Sequence, residues 1–264
     1  MKLFCITIAY APAVLVARSL FLYQKYRALT PYRHIVVQGH YPINELKNSN
    51  DVKLIVDCFE GVELWDPGKN LGSAQSQNWC LERLDIGLAD YFINLDPDSA
   101  CQQNGWDDAL LKGFSGNCVL VSCNAPMVQR YRQCAPFEDV YGHGRLSYGI
   151  ATRPTPFNLS MWRYSFIKEI GGIPQMGLWW GETEAGMFAA CKQRGKFHSY
   201  SLDYMEDESG KFAQDRQHNE YKDAHMRSAP ENQFLGSFDE YLRWKHTALA
   251  KMDTCKDLDN YNHP

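Results

Sequence analysis

Two carboxylates separated by a single proline, Asp96-Pro97-Asp98, follow directly on the apolar run Tyr91–Leu95. Such a run reads as a buried strand, so both acids stand at a strand's end, where they can point into one cleft. A pair of this kind suits Mg2+ or Mn2+, hard ions that favour oxygen ligands. A metal held there would bridge a nucleotide diphosphate and offset the charge that develops as the diphosphate leaves. The same three residues also fit an ordinary Asp-Pro turn whose second aspartate caps the next helix. What surrounds the triplet decides between the two.

Leu3 to Ala9 reads as a buried strand closed by the turn Tyr10-Ala11-Pro12. Ala13 to Leu29 suits a helix, with Val16, Leu20 and Tyr23 on one face. Ile35 to Val37 is a second strand, Val52 to Val56 a third, and Val62 to Trp65 a fourth that runs into the turn Asp66-Pro67-Gly68. A helix from Gly72 to Leu84 carries Ala74, Asn78 and Leu81 along one stripe and leads to the strand before Asp96. Strands alternating with helices predict an α/β fold whose sheet is parallel and covered on both faces. Ligands gather at the carboxyl ends of such strands, and both Tyr10–Pro12 and Asp96–Asp98 fall there.

The second half is less regular. Val119 to Cys123 and Leu146 to Ala151 read as strands, and Thr183 to Arg194 as a helix closed by Gly195. From Met205 to Ser228 the chain turns polar and charged, as in a loop or mobile lid. Ser237 and Glu240 form a capping box for a last helix that can dock through Phe238, Leu242, Leu249 and Met252.

A chain of 264 residues can bury a full core, and 45% apolar against 22% charged residues is a globular balance. The net charge of −4 disfavours DNA or another nucleic acid as partner, although a local basic groove stays open. Arg130, Arg132, Lys211, Arg216, Lys222 and Arg227 are its candidate lining, with scattered surface charge the simpler account. Nine cysteines lack any CxxC pair, which points to free thiols in a reducing compartment. With no run long enough for a membrane span and no convincing leader, the expected location is cytoplasmic.

Asn70-Leu71-Gly72, then Asn78, then Tyr91 through Ser99 resemble the signature of family 2 glycosyltransferases and their GT-A relatives. There an Asn-x-Gly turn opens a helix that ends shortly before the strand carrying the metal-binding acids. Glu169-Ile170-Gly171-Gly172 and Trp180-Gly181-Glu182-Thr183-Glu184 resemble that family's Gly-Gly turn and acidic acceptor-site motif. The two matches cover residues 62 to 196. The resemblance implies a Rossmann-like central sheet, mostly parallel, flanked by helices and followed by a C-terminal helical extension. It divides the chain into a catalytic domain, 1–204, and a lid segment with a C-terminal helix, 205–264. Within the former, residues 1–99 form a nucleotide-sugar-binding half and 100–204 an acceptor-binding half.

The resemblance further implies transfer of a sugar from a nucleoside diphosphate sugar, a UDP-sugar first, to an acceptor hydroxyl with Mn2+ or Mg2+ as cofactor. That acceptor is a glycan, a protein, a small metabolite or a hydroxymethylated base of viral DNA. Tyr10, Asp66, Asn70, Gly72 and Asp96 would bind the donor, and Asp96 and Asp98 the metal. His218 and His225 lie where some relatives place a third ligand, and His225 is the better placed. Glu182 and Glu184 are candidates for the general base, and Trp179 and Trp180 for an aromatic platform under the acceptor. Each also has a plain structural use: a packed aromatic, a turn residue, or an acid suited to a helix start. Two departures stand out. Gln38-Gly39-His40 replaces the acid the family often carries after the second strand, and Thr183 follows Glu182 where inverting members have aspartate. A sugar nucleotidyltransferase and an inactive carbohydrate-binding scaffold are the rival readings.

Overall fold

The structure is a computed structural model and describes residues 1–41, 44–124, 137–152, 158–174 and 182–207. The first half runs β1 (Leu3–Ala9), α1 (Ala13–Lys25), β2 (Tyr32–Gln38), α2 (Glu45–Asp57), β3 (Val62–Trp65), α3 (Ser73–Leu81) and β4 (Tyr91–Leu95). The second runs β5 (Ala100–Cys101), α4 (Trp106–Lys112), β6 (Cys118–Asn124), β7 (Phe137–His143), β8 (Leu146–Ala151), β9 (Leu159–Arg163), α5 (Tyr164–Glu169), α6 (Glu182–Gln193) and β10 (Phe197–Asp207).

One sheet holds the molecule together, in the order β3-β2-β1-β4-β9-β6-β10-β8-β7, with β5 paired to β10. The strands β3, β2, β1 and β4 run parallel to one another, and β6 runs parallel to β10. Strand β9 is antiparallel to both β4 and β6, and the β7–β8 hairpin closes the far edge. The chain steps outward from β1 to β3 and returns to β4 on the other side of β1. That reversal opens a crevice at the carboxyl ends of β1 and β4.

Period-two alternation explains the layers. Phe4, Ile6 and Ile8 of β1 pack with Ala74 and Leu81 of α3, Phe166 of α5 and Met187 of α6. Leu3 and Cys5 face the other way, against Leu22 and Tyr23 of α1 and Trp106 and Leu110 of α4. Ala9 and Val36 complete that second face beneath Val16 and Leu20 of α1 and Val52 and Val56 of α2.

Several elements differ from expectation. The stretch Val52 to Val56 is helical, within α2, because its buried residues recur at helical spacing: Val52 is 0% and Val56 2% exposed, while Leu54 between them is 65% exposed. Helix α1 stops at Lys25, short of Leu29, because tertiary partners take over the backbone groups that would continue it. The Arg27 amide donates to Asn104 Oδ1 (2.9 Å), and the Leu29 and Thr30 amides donate to Asp107 (2.7 Å each). Strand β10 includes Met205–Asp207, so the polar stretch begins inside the sheet. The rest of 205–228 and the expected last helix lie outside the described residues, as do Arg130, Arg132, Lys211, Arg216, Lys222 and Arg227.

Candidate active site

The acid pair inherits its position from β4. Alternation sends Asn94 to the same face as Phe92, where Gln77 of α3 meets it: Gln77 Nε2 donates to Asn94 Oδ1 at 2.5 Å. With that oxygen engaged, Asn94 Nδ2 donates to Asp96 Oδ1 at 3.1 Å. The Asp96 amide donates to the Asn158 carbonyl at 2.8 Å, which carries the β4–β9 ladder one step past the strand. Asp96 is half-buried, and Asp98 is buried at 8% exposure. Asp98 does not cap the next helix, because α4 begins only at Trp106 with Gly105 at its N-cap.

The donor set fits a metal shared with substrate better than a dedicated cage. Among the described residues no group of three or more His, Cys, Asp or Glu gathers to hold an ion. Mg2+ and ions like it are commonly held by one or two carboxylates with substrate phosphates and water completing the shell. Asp96 and Asp98 supply that number. Beside them Ser99 Oγ and Gln77 Oε1 are buried without a hydrogen-bond partner among the described residues, so the described lining has polar capacity to spare.

The ends of β1, β2 and β3 lie side by side, with Ala9 opposite Gln38 and Val37 opposite Trp65. Tyr10 therefore stands at the crevice, half-buried and edge-on to Tyr41 with ring centroids 5.6 Å apart. Its turn is pinned by Asn48 of α2, whose side chain accepts from the Ala13 amide (2.8 Å) and donates to the Ala11 carbonyl (3.2 Å). Asp66 follows β3 and accepts from the Gly68 amide at 2.7 Å and pairs with His40 Nε2 at 2.8 Å. Partial burial opposes charge on Asp66, but the Gly68 amide and the His40 ring outweigh it and its pKa lies below the ordinary value. Asn70 Oδ1 accepts from the Gly72 amide at 2.8 Å, closing a turn ahead of α3. Gly72 has φ +76°, a left-handed conformation that favours glycine, and among the described residues, its chain neighbours aside, no atom stands within 4 Å of where a Cβ would be.

The side-chain amide of Asn78 ties α3 to the turn after α5. Asn78 of α3 donates to the Ile173 carbonyl (2.9 Å) and accepts from the Ile173 amide (2.8 Å). Gly172 beside it has φ +116°, and a Cβ there would meet Asn78 Oδ1 at 3.2 Å. The two stretches quoted for the family resemblance are thus in contact. Glu182 is the first residue of α6 and Glu184 lies within it, half-buried. Trp179, Trp180, His218 and His225 lie outside the described residues.

Gln77, Asn94, Asn158 and His40 were not among the residues expected at the site. A polar Asn94 inside an otherwise apolar strand, two residues before Asp96 and so on the same face, was the available signal. Nothing comparable marks His40.

The crevice beside β1, the mixed sheet and the flanking helices make this a GT-A type fold. No family model matches the sequence, and no curated protein matches it. Solved structures do match in shape. The mannosyltransferase PcManGT from Pyrobaculum calidifontis, in complex with GDP-Man and Mn2+, superposes with a TM-score of 0.59 at 14% identity, over 95% of this chain and 73% of that one. GalNAc-T7 with UDP, GalNAc and Mn2+ gives 0.55 at 12% identity, over 94% of this chain and 54% of that one. Staphylococcus (S. aureus) TarS 1-349 in complex with UDP gives 0.52 at 13% identity, over 96% and 80%. At these identities the likeness is one of fold.

Proposed function

We propose that this chain is a metal-dependent glycosyltransferase that moves a sugar from a nucleoside diphosphate sugar, a UDP-sugar, to an acceptor hydroxyl. The observation that carries the reading is the pair Asp96 and Asp98 at the crevice, with Asp96 oriented by Asn94 and Asn94 oriented by Gln77. Support comes from the company the fold keeps, which includes a mannosyltransferase with GDP-Man and Mn2+ and a structure holding UDP, GalNAc and Mn2+.

In this reading Asp96 and Asp98 hold Mn2+ or Mg2+, which when bound supplies positive charge to the diphosphate leaving group. Tyr10 and Asp66 receive the base, and Asn70 and Gly72 hold the turn that lets the donor lie over the start of α3. Glu182 is the proposed general base toward the acceptor hydroxyl, with Glu184 second, and Trp179 and Trp180 form the acceptor platform. His225 is proposed as a third ligand. Residues 1–99 then serve the donor and 100–204 the acceptor, with 205–264 outside this unit. Among the described residues no helix is long and apolar enough to cross a membrane. Free thiols such as Cys5, Cys80 and Cys118 support a reducing, cytoplasmic site of action.

Calorimetry with UDP tests the reading. Binding in the micromolar range is expected with Mn2+ or Mg2+ and none with chelator, since bare carboxylates repel a diphosphate. Equal binding in both conditions would remove the metal from the mechanism. Failure of every nucleoside diphosphate sugar to bind or be hydrolysed would sink the transferase reading.

A further inference from the structure

The turn after β2 holds a side chain that the donor reading does not use. Gly39 is pressed against the backbone of the neighbouring strand end: a Cβ there would lie 2.6 Å from the Ala9 carbonyl oxygen and 2.7 Å from the Tyr10 nitrogen. Only glycine fits. The next residue, His40, takes φ +51°, a left-handed conformation that a histidine adopts only when its surroundings hold it. Its ring reaches across to the end of β3, with Nε2 2.8 Å from Asp66 Oδ1 and Nδ1 3.3 Å from Glu45 Oε1 at the start of α2.

The consequence falls on Asp66. Its Oδ1 accepts from both His40 Nε2 (2.8 Å) and the Gly68 amide (2.7 Å), which fills that oxygen's two lone pairs. An ionised carboxylate only accepts, so the ring nitrogen facing it carries the proton. Among the described residues no donor reaches Oδ2, and the side chain is 55% exposed at the crevice end of the sheet. Asp66 therefore offers one oxygen to whatever base docks beside it.

We propose that His40 is a specificity-determining residue that sets this site for uracil over guanine by occupying one oxygen of Asp66. The inference rests on the reading that a nucleoside diphosphate binds with its base against Asp66. Uracil presents a single ring N–H between two carbonyls, a match for one free carboxylate oxygen. Guanine presents two N–H groups side by side, and a carboxylate satisfies both only with both oxygens free. With Oδ1 filled, a docked guanine leaves one donor without an acceptor. Adenine and cytosine place a lone pair on the ring nitrogen of the same edge, which a carboxylate repels. The donors of choice are thus uridine diphosphate sugars, selected through Asp66 and positioned there by His40.

Calorimetry with UDP and GDP in the presence of Mn2+ tests this on the full chain. The wild type is expected to bind UDP more tightly than GDP by about tenfold or more, the scale of one unpaired donor. His40→Gly keeps the left-handed backbone without strain and frees one lone pair of Oδ1, the Gly68 amide keeping the other. It is expected to narrow that ratio by about tenfold, mainly through tighter GDP binding. His40→Gln, whose amide can still donate to Asp66, should restore the preference. A wild type that binds GDP as well as UDP, or a His40→Gly ratio equal to the wild type's, would overturn the proposal while leaving the donor site intact. Binding of neither nucleotide would overturn the donor reading and this inference together.

Discussion

The two sides of the sheet are buried by different means. In the parallel side all of β1 is buried, and β2 is filled at its centre by Ile35, Val36 and Val37. On the other side the buried positions of β6, β9 and β10 include Ser122, Ser160, His198, Ser199 and Ser201. These are held by cross-strand pairs: Ser122 Oγ with His198 Nε2 at 2.8 Å, and Tyr141 Oη donating to Ser199 Oγ at 3.0 Å. Within β9 the Trp162 indole donates to Ser160 Oγ at 2.6 Å. Burial of apolar surface is tolerant of detail, whereas a buried hydroxyl needs its partner at the right register. The more apolar side carries the strand ends where Tyr10, His40, Asp66 and Asp96 stand, and its buried polar pairs, such as Thr7 with His34 and Gln77 with Asn94, are fewer and set among continuous apolar runs.

The sharpest way to test that separation is to alter the site and leave the scaffold alone. Asp98→Asn is expected to lower turnover by roughly 10³-fold or more, with Asp96→Asn nearly as severe, because a metal-bearing carboxylate contributes charge that an amide cannot. Neither change alters packed volume, so circular dichroism and the unfolding midpoint should stay close to wild type. Near-normal turnover in either variant would return that residue to a turn role. A lost fold would mean that the site and the scaffold are not separable.

A smaller effect is expected where the two sides meet. Asn78→Ala removes both hydrogen bonds to Ile173 and should destabilise the protein by about 1–3 kcal/mol in urea unfolding. Gly172→Ala, at φ +116° and 3.2 Å from Asn78 Oδ1, should cost a similar amount through strain, on the order of 1–3 kcal/mol. If the two variants combined lose no more than either alone, they break the same joint. Full additivity would mean that each acts elsewhere.

The same difference decides what can be read without a structure. Strands Leu3–Ala9, Tyr91–Leu95 and Leu146–Ala151 have the bounds that their apolar runs suggest. Leu159–Arg163 and Phe197–Asp207 escape notice because serines and a histidine interrupt the pattern, and only the neighbouring strand explains them. Val52–Val56 misleads in another way: a window of five residues is too short to tell a helix face from a strand. At the site, Asp96 is legible because a strand end announces it. The part of His40 depends on a left-handed turn and on Gly39 fitting against Ala9, and neither is written in residues 38–40 themselves.

The last and smallest expected effect compares one buried histidine from each side. His34 of β2 sits beside Thr7 Oγ1 at 3.0 Å, with the rings of Tyr23 and Tyr32 around it. Burial pushes its pKa from the ordinary 6.5 down to about 4. His198 of β10 is tilted over Tyr200 with ring centroids 4.4 Å apart, and burial likewise holds it well below 6.5. Both fold as neutral rings, so the unfolded chain binds more protons than the native one as the pH drops below 6.5. Stability therefore falls on acidification; for His34 the loss begins near pH 6.5 and levels off near pH 4. Each histidine contributes at most about 1.4 kcal/mol per pH unit in that window, which amounts to roughly 2 kcal/mol for His34 at pH 5. Urea unfolding at pH 7, 6 and 5 measures the slope, and His34→Gln and His198→Gln should each flatten it even where they lower the midpoint at pH 7. The two variants differ in the polar partner they leave behind. His34→Gln must keep Thr7 Oγ1 satisfied and His198→Gln must keep Ser122 Oγ satisfied, both buried hydroxyls, so the two should lose comparable amounts at pH 7. A slope unchanged by both substitutions would mean that these rings take up protons in the folded state as readily as in the unfolded one. A clearly larger loss at pH 7 for one of them would mean that its hydroxyl partner, Thr7 or Ser122, depends more closely on the ring.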